Sequence, residues 1–477
     1  MSSLGGKAFL DTFSLTLGDA RNLHFMDMGV AFVIVLLLVA ESAAQKKLDV
    51  LWTILLLFAA AAYHAPISNI TAVYTGVVLF LLLFESFGGT AIPLDASRSA
   101  VLALVLASLM SLKSSFVPAA IAFWLCYFTF HLCFSTQRKE VLAKAALCTF
   151  LIIVFLSPWM AASYRSSGTL FYPFLGVGFH GSRYGTLLRP ADQLGIRNSL
   201  AFFHGLEDVL FAMLGTQAAL LLIGRHWQTR KGLINIVILV VATLGILAIG
   251  IGTAGYQAFR YSFPILFSVV LYLSTEQLAH VKFPIGPVPT FYGGVGAVVL
   301  LGLLLGGALN GFFNEDWFHE VEASLTRENI VSKAEVSAYQ LMQTSVPPGQ
   351  PILARLDKNF LLDFRRNPVY IIDTPGGVSP PPGMPAFKGP ELLAEYLIGN
   401  GIRYVAYSYS DEAAYSHESF GERLAPSVNA WIRSRAQNTF DFQDNITRLG
   451  ANRKRVFDNG SIFILDLCNY VVATNGH

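Results

Sequence analysis

Guanidinium groups offer paired donors that match phosphate oxygens, so the arginines in this chain are the first residues with chemistry to offer. Arg165, Arg183, Arg189 and Arg197 fall in one polar stretch, and Arg260 opens a later apolar run in FRYSFP. Arg165 lies in SPWMAASYRSSGTLFYPFLG (157–176) with Trp159, Tyr164 and Tyr172 close by. Such a cluster can bind an anion, most simply a phosphate. The competing reading makes these solvated loop arginines or headgroup anchors, and makes the aromatics an interfacial belt. For Trp159 the belt is the better reading. His180 and His204 have no carboxylate or second histidine at ligand spacing, and the four cysteines are widely spread, so neither a metal site nor a disulfide framework follows.

Membrane-spanning elements must position these groups. Hydrophobic residues make up 54% of 477 positions and charged residues 13%, with a mean hydropathy of +0.53, too apolar for a water-soluble globule of this length. The net charge of +2 comes with no basic block, which argues against a nucleic-acid partner. Residues 1–26 are polar and lack the pattern of a signal peptide. Apolar segments follow at 27–45, 49–63, 71–87, 99–112, 116–135, 141–160, 206–224, 232–254, 261–279 and 288–310. Most approach the roughly 20 residues that cross a bilayer as a helix. The short segment 99–112 and its successor are separated only by Lys113 and Pro118 and read as a tilted hairpin, with one broken helix as the alternative.

Lys and Arg collect on the cytoplasmic side, which tests orientation by parity. Placing Lys46 and Lys47 inside also places Arg98, Arg138, Lys139, Arg225, Arg230, Lys231 and Lys282 inside. The N-terminus, the loop 161–205 and everything after 310 then lie outside. An outside N-terminus without a signal is what would remain of a chain that had lost, or never had, a leading set of helices.

The part 311–477 changes character. PILARLD (351–357) and NPVYIID (367–373) read as strands, GPELLAEYLIGNG (389–401) as a helix closed by Gly401, and IRYVAYSYS as a further strand. VFDNGSIFILDL (456–467) reads as a hairpin with Asn459 and Gly460 both at positive φ. Strand, helix and adjacent strand imply a partly parallel sheet. SPPPGMP (379–385) is a stiff loop, either a rigid connector or a lid or docking surface. The expected fold is therefore an α-helical polytopic membrane domain of about ten transmembrane helices followed by a small extracytoplasmic α/β domain.

The order of these elements resembles the polytopic GT-C glycosyltransferases. The stretch with Pro158, Trp159, Arg165, Gly168, Tyr172 and Pro173 is similar to a motif of that family, as are Arg260, Tyr261 and Pro264 at a later helix start. The resemblance implies an integral protein of a bacterial inner (plasma) membrane that moves a sugar from a polyprenyl-phosphate carrier to a glycan, lipid or protein acceptor. It implies a carboxylate that handles the acceptor proton, and cations or a divalent metal that stabilise the leaving phosphate. Arg165, Arg260, Tyr261, Tyr164, Tyr172, Lys113 and Arg183 are its carrier-phosphate candidates. The family places its carboxylate in a first external loop, and this chain has no such loop with an Asp or Glu pair. Asp19, then Asp11, are the catalytic candidates; Asp27, Asp192, Glu207 and Asp208 stand in reserve. Two functions stay open, a sugar transferase and a non-catalytic relative that binds the carrier or a partner. A transporter ranks below both, since Glu41 and Glu85 lie near helix ends rather than at mid-membrane.

Overall fold

The computed structural model describes residues 25–63, 72–89, 95–167, 229–252, 258–279, 332–372, 388–408 and 430–470, with short pieces at 10, 170, 181–182, 185–186, 213–215, 217–218, 299–300, 302–303, 306, 384–385 and 424–425. The chain divides into two compact units, 1–166 with 194–325 and 167–193 with 326–477.

The first unit is helical. A π-helical turn, Phe25–Ala31, leads into α1 (Phe32–Gln45), and α2 (Val50–Ala62), α3 (Tyr74–Gly88) and α4 (Ala96–Leu112) follow. After Lys113 and the 3-10 turn Ser114–Phe116 come α5 (Val117–Phe134), α6 (Arg138–Ser167), α7 (Arg230–Gly252) and α8 (Ala258–Leu278). Among the described residues, Phe25–Gln45, Ser114–Phe134, Arg138–Ala162 and Arg230–Gly250 are long and apolar enough to cross a membrane; α2, α3 and α4 are shorter apolar helices. Segments 206–224 and 288–310 fall largely outside the described residues.

Burial shows why these helices need a bilayer or each other. Along α6, Val141, Ala145, Cys148, Ile152 and Leu156 form a buried stripe at helical spacing, while Phe150, Ile153, Val154 and Phe155 on the same helix are exposed. Apolar residues on an outward face fit hydrocarbon. By contrast α8 is buried without a break from Ser262 to Leu278, so it forms the bundle's centre. Gly76 lets α3 approach it, because an added Cβ would lie 3.0 Å from the Pro264 ring. Around Lys113 the helix is interrupted, and α4 and α5 meet there. One boundary differs from expectation. The loop placed at 161 starts later, since α6 continues to Ser167 through Ala161 and Ala162, good helix formers that follow Pro158 without a break.

The second unit carries the α/β fold. Its described elements are a two-residue ladder of β1 (Gly181–Ser182) with β2 (Gly185–Thr186), then α9 (Lys333–Thr344), β3 (Ile352–Arg355), β4 (Val369–Ile371), α10 (Pro390–Gly399), β5 (Tyr404–Ser408), α11 (Ala430–Asn452), β6 (Arg453–Asp458) and β7 (Ile462–Tyr470). The main sheet has the order β4-β3-β5-β7-β6, parallel across the first three strands and antiparallel beyond them. It is partly parallel as expected, but β3 lies between β4 and β5, so the crossover skips one strand. Alternate residues serve opposite faces. Val405 and Tyr407 join Leu393, Leu397, Phe442 and Ile446, while Tyr404 and Ala406 join Tyr339 and Met342. Only Gly460 of the β6–β7 turn has positive φ. Asn459 instead accepts from the Ser461 and Ile462 N–H groups, a side-chain bond that fixes the turn without the left-handed backbone. Met384, near the end of the proline-rich stretch, is buried in the core beside α10.

Ser332 caps α9, and Glu335 returns the bond to the Ser332 N–H. Bonds from Lys358 and Ser332 hold the Glu335 carboxyl at about 2, below its ordinary 4.5. A carboxyl lowered in this way stabilises the fold above its ordinary value and loses that effect as pH falls from 4.5 towards 2. Lys358→Met is expected to flatten this part of the profile. Hydrogen exchange across 333–344, corrected for intrinsic rates, reads the change; an unaltered acid profile would count against it.

Candidate functional site

Lys113 sits in a one-residue break between two helices. Its backbone is extended, with φ −155 and ψ 131, between the end of α4 and the 3-10 turn. Phe116 anchors that turn by packing edge-on against Phe80 at 5.4 Å, and a proline in the first turn starts α5. The break therefore holds the lysine in place rather than leaving it on a loose loop. Its ammonium lies 4.2 Å from the ring centroid of Tyr261, in the first turn of α8. The Arg260 guanidinium lies 5.7 Å from the same centroid. Two cations thus approach one aromatic ring, within the range where such contacts attract.

Asp27 belongs to the same end of the unit, and its oxygens are occupied. They accept from the N–H groups of Val73 at 2.8 Å, Tyr74 at 3.3 Å and Thr75 at 2.8 Å, and from the Thr75 hydroxyl at 2.7 Å. The carboxylate is 1% exposed. Val73 gives no side-chain cap to α3, so Asp27 caps that helix from a distant part of the chain and meets its dipole with negative charge. It is a structural group, not a free base. Burial, then repulsion from Arg260, pulls Lys113 down to about 7 from an ordinary 10.5, and Asp27 offsets part of this. Among the described residues no carboxylate comes within ion-pair distance of the Lys113 ammonium. The arrangement can receive an anion, with Lys113 and Arg260 both beside the Tyr261 ring to meet it.

The structure thus brings together Lys113, Arg260 and Tyr261 of the sequence-based candidates. Tyr164 and Arg165 are exposed at the end of α6. No hydrogen bond, ion pair or ring contact among the described residues joins them to this cluster. Asp19, Asp11, Tyr172 and Arg183 lie outside the described residues, as do Arg189, Arg197, His180, His204, Asp192, Glu207 and Asp208. Trp159 is partly buried against the bundle. Among the described residues no three His, Cys, Asp or Glu side chains form a metal cradle.

At the opposite end of the same helices lies a second charged cluster that the sequence reading missed. Lys46 at the end of α1 bonds Glu85 of α3 at 2.8 Å and Glu276 of α8 at 3.0 Å, and Lys231 of α7 bonds Glu276 at 2.6 Å. Ser42 donates to Glu85 at 2.5 Å, and the Lys46 ammonium stands 4.8 Å from the Tyr272 ring. Gly88 makes room for that tyrosine, since an added Cβ would collide with the Tyr272 hydroxyl. The one available signal was Glu276 itself, the sole acidic residue in the α8 sequence. The cluster groups Lys46 with Lys231 and keeps both away from Lys113 and Arg260, the same partition that charge parity makes. No protein-family model and no curated protein sequence matches this chain.

Proposed function

We propose that this protein binds a polyprenyl-phosphate-linked sugar at the Lys113, Arg260 and Tyr261 end of its helical unit and transfers the sugar to a glycan, lipid or protein acceptor of the cell envelope. The approach of Lys113 and Arg260 to one aromatic ring supports this reading, because it supplies half-buried positive charge where a lipid-borne phosphate arrives. As the sugar leaves, charge develops on the phosphate, and fixed cations stabilise it without reorganising. In this reading the unit has about ten spans, including 206–224 and 288–310. The Lys46 end faces the cytoplasm of a bacterial plasma membrane, and the α/β unit lies outside.

Asp19, or else Asp11, takes the acceptor proton. A second reading has a specific observation behind it: Asp27 is committed to capping α3, which favours a carrier-binding subunit that leaves catalysis to another chain. The test separates the two. The intact protein in lipid nanodiscs is titrated with farnesyl phosphate, and Lys113→Ala and Arg260→Ala are each expected to weaken binding about 10- to 100-fold, the loss expected of a charge-assisted contact. Unchanged affinity in both variants would sink the site. Membranes supplied with radiolabelled polyprenyl-phosphate sugar then show transfer that Asp19→Asn or Asp11→Asn removes, or carrier binding alone.

A further inference from the structure

Two positive charges lie beside the Tyr261 ring, and the described groups around Lys113 do little to balance its ammonium. From α8 come Arg260, which opposes its charge, and the Tyr261 ring, which favours it weakly. From the π-helical turn comes Asp27, whose oxygens already serve four donors of α3. The 3-10 turn adds only the hydroxyls of Ser114 and Ser115, both on buried residues. A lysine placed beside an arginine in a confined, partly dehydrated site has a simple way to lower the repulsion, which is to release its proton. An arriving anion removes the reason for release.

We propose that Lys113 takes up a proton when a phosphate group binds, so that the site gains positive charge in step with its ligand. The inference rests on the phosphate reading above. The lowered value of about 7 for the empty site agrees with the geometry. The behaviour suits sugar transfer from a carrier phosphodiester. The bond between the sugar's anomeric carbon and the phosphate oxygen breaks, the acceptor oxygen takes that carbon, and the acceptor's proton is released. The carrier phosphate, a monoanion before the step, leaves as a dianionic monoester. A protonated Lys113 with Arg260 matches the two charges of that product, whereas the neutral lysine with Arg260 matches one.

The test is calorimetry on the intact protein in lipid nanodiscs at pH 8, titrated with the methyl diester of farnesyl phosphate. That probe has no proton to gain near neutrality, so uptake belongs to the protein. The slope of binding enthalpy against buffer ionisation enthalpy is expected to give about 0.9 proton per ligand, from a lysine near 7 in the empty site that stays fully protonated when bound. Affinity should fall about 50-fold from pH 7 to pH 9 by the same linkage. Lys113→Arg, charged throughout, is expected to bind with no uptake and a nearly flat pH profile. Lys113→Gln, neutral throughout, should bind more weakly and also without uptake, and it carries the test if the arginine variant fails to fold. Intact binding by the wild type with no proton uptake, or equal uptake in the Lys113 variants, would overturn the inference and leave the phosphate reading standing. No binding of this probe or of farnesyl phosphate to the wild type would overturn both.

Discussion

Asp27→Ala is expected to lower the stability of the helical unit by about 3 to 5 kcal/mol, among the largest effects of any single substitution in this chain. The substitution removes the acceptor of three backbone N–H groups and one hydroxyl at the start of α3. Val73, at the cap position, has no oxygen in its side chain to replace it, and the site is too deeply buried for water to do so easily. Each N–H left without a partner costs about 1 to 3 kcal/mol, and the α3 dipole loses its compensating charge. Asp27→Asn keeps one carbonyl acceptor and loses the charge, so an intermediate effect is expected. Thermal unfolding of the purified protein reads the series, with farnesyl phosphate affinity measured alongside. The decisive contrast is between scaffold and catalyst. A capping role makes stability and affinity fall together in the asparagine variant. Wild-type stability with abolished sugar transfer would instead make Asp27 the reacting carboxylate.

That role was not legible in the sequence, where Asp27 precedes its partners by more than forty residues and reads as a group at the start of the first apolar run. Helix periodicity and apolar length, by contrast, were legible, because in a bilayer the solvent itself selects them. Segments 49–63, 71–87, 116–135, 232–254 and 261–279 match α2, α3, α5, α7 and α8 within a few residues. Ends were read less well, as at α6, since Ala161 and Ala162 allow either a helix or a loop and tertiary context decides. In the α/β unit the strands were visible from β-branched and aromatic runs, but their order was not. The insertion of β3 between β4 and β5 depends on which faces α9 and α10 cover. At the candidate site, sequence spacing marked Lys113, Arg260 and Tyr261 separately. Their meeting on one ring needed the fold, because α4 and α8 are far apart in the chain.

Lys46→Met should be comparably damaging at the other end of the bundle, with an expected loss of about 3 to 5 kcal/mol. The ammonium is the only described cation that touches both Glu85 and Glu276, and so it ties α1 to α3 and α8 at once. The Glu276 side chain is 5% exposed and that of Lys46 14%, so removing the cation leaves Glu276 with little access to water and only the half-exposed Lys231 as its described partner. A buried pair contributes modestly when intact, since desolvation offsets attraction, yet breaking one side is costly because the penalty remains without the gain. This asymmetry makes a double substitution informative. Lys46→Met with Glu276→Gln should recover part of the loss, with a coupling of about 1 to 3 kcal/mol between the two sites. Lys231 provides the internal comparison. Its side chain is 53% exposed although it bonds the same carboxylate, so Lys231→Met should cost about 1 kcal/mol or less. Thermal or denaturant unfolding of the wild type, the three single variants Lys46→Met, Glu276→Gln and Lys231→Met, and the double variant gives the ranking and the coupling. Equal effects at Lys46 and Lys231, or a Lys46→Met variant within about 0.5 kcal/mol of wild type, would mean that water reaches this cluster. The helix ends would then be held by apolar packing alone.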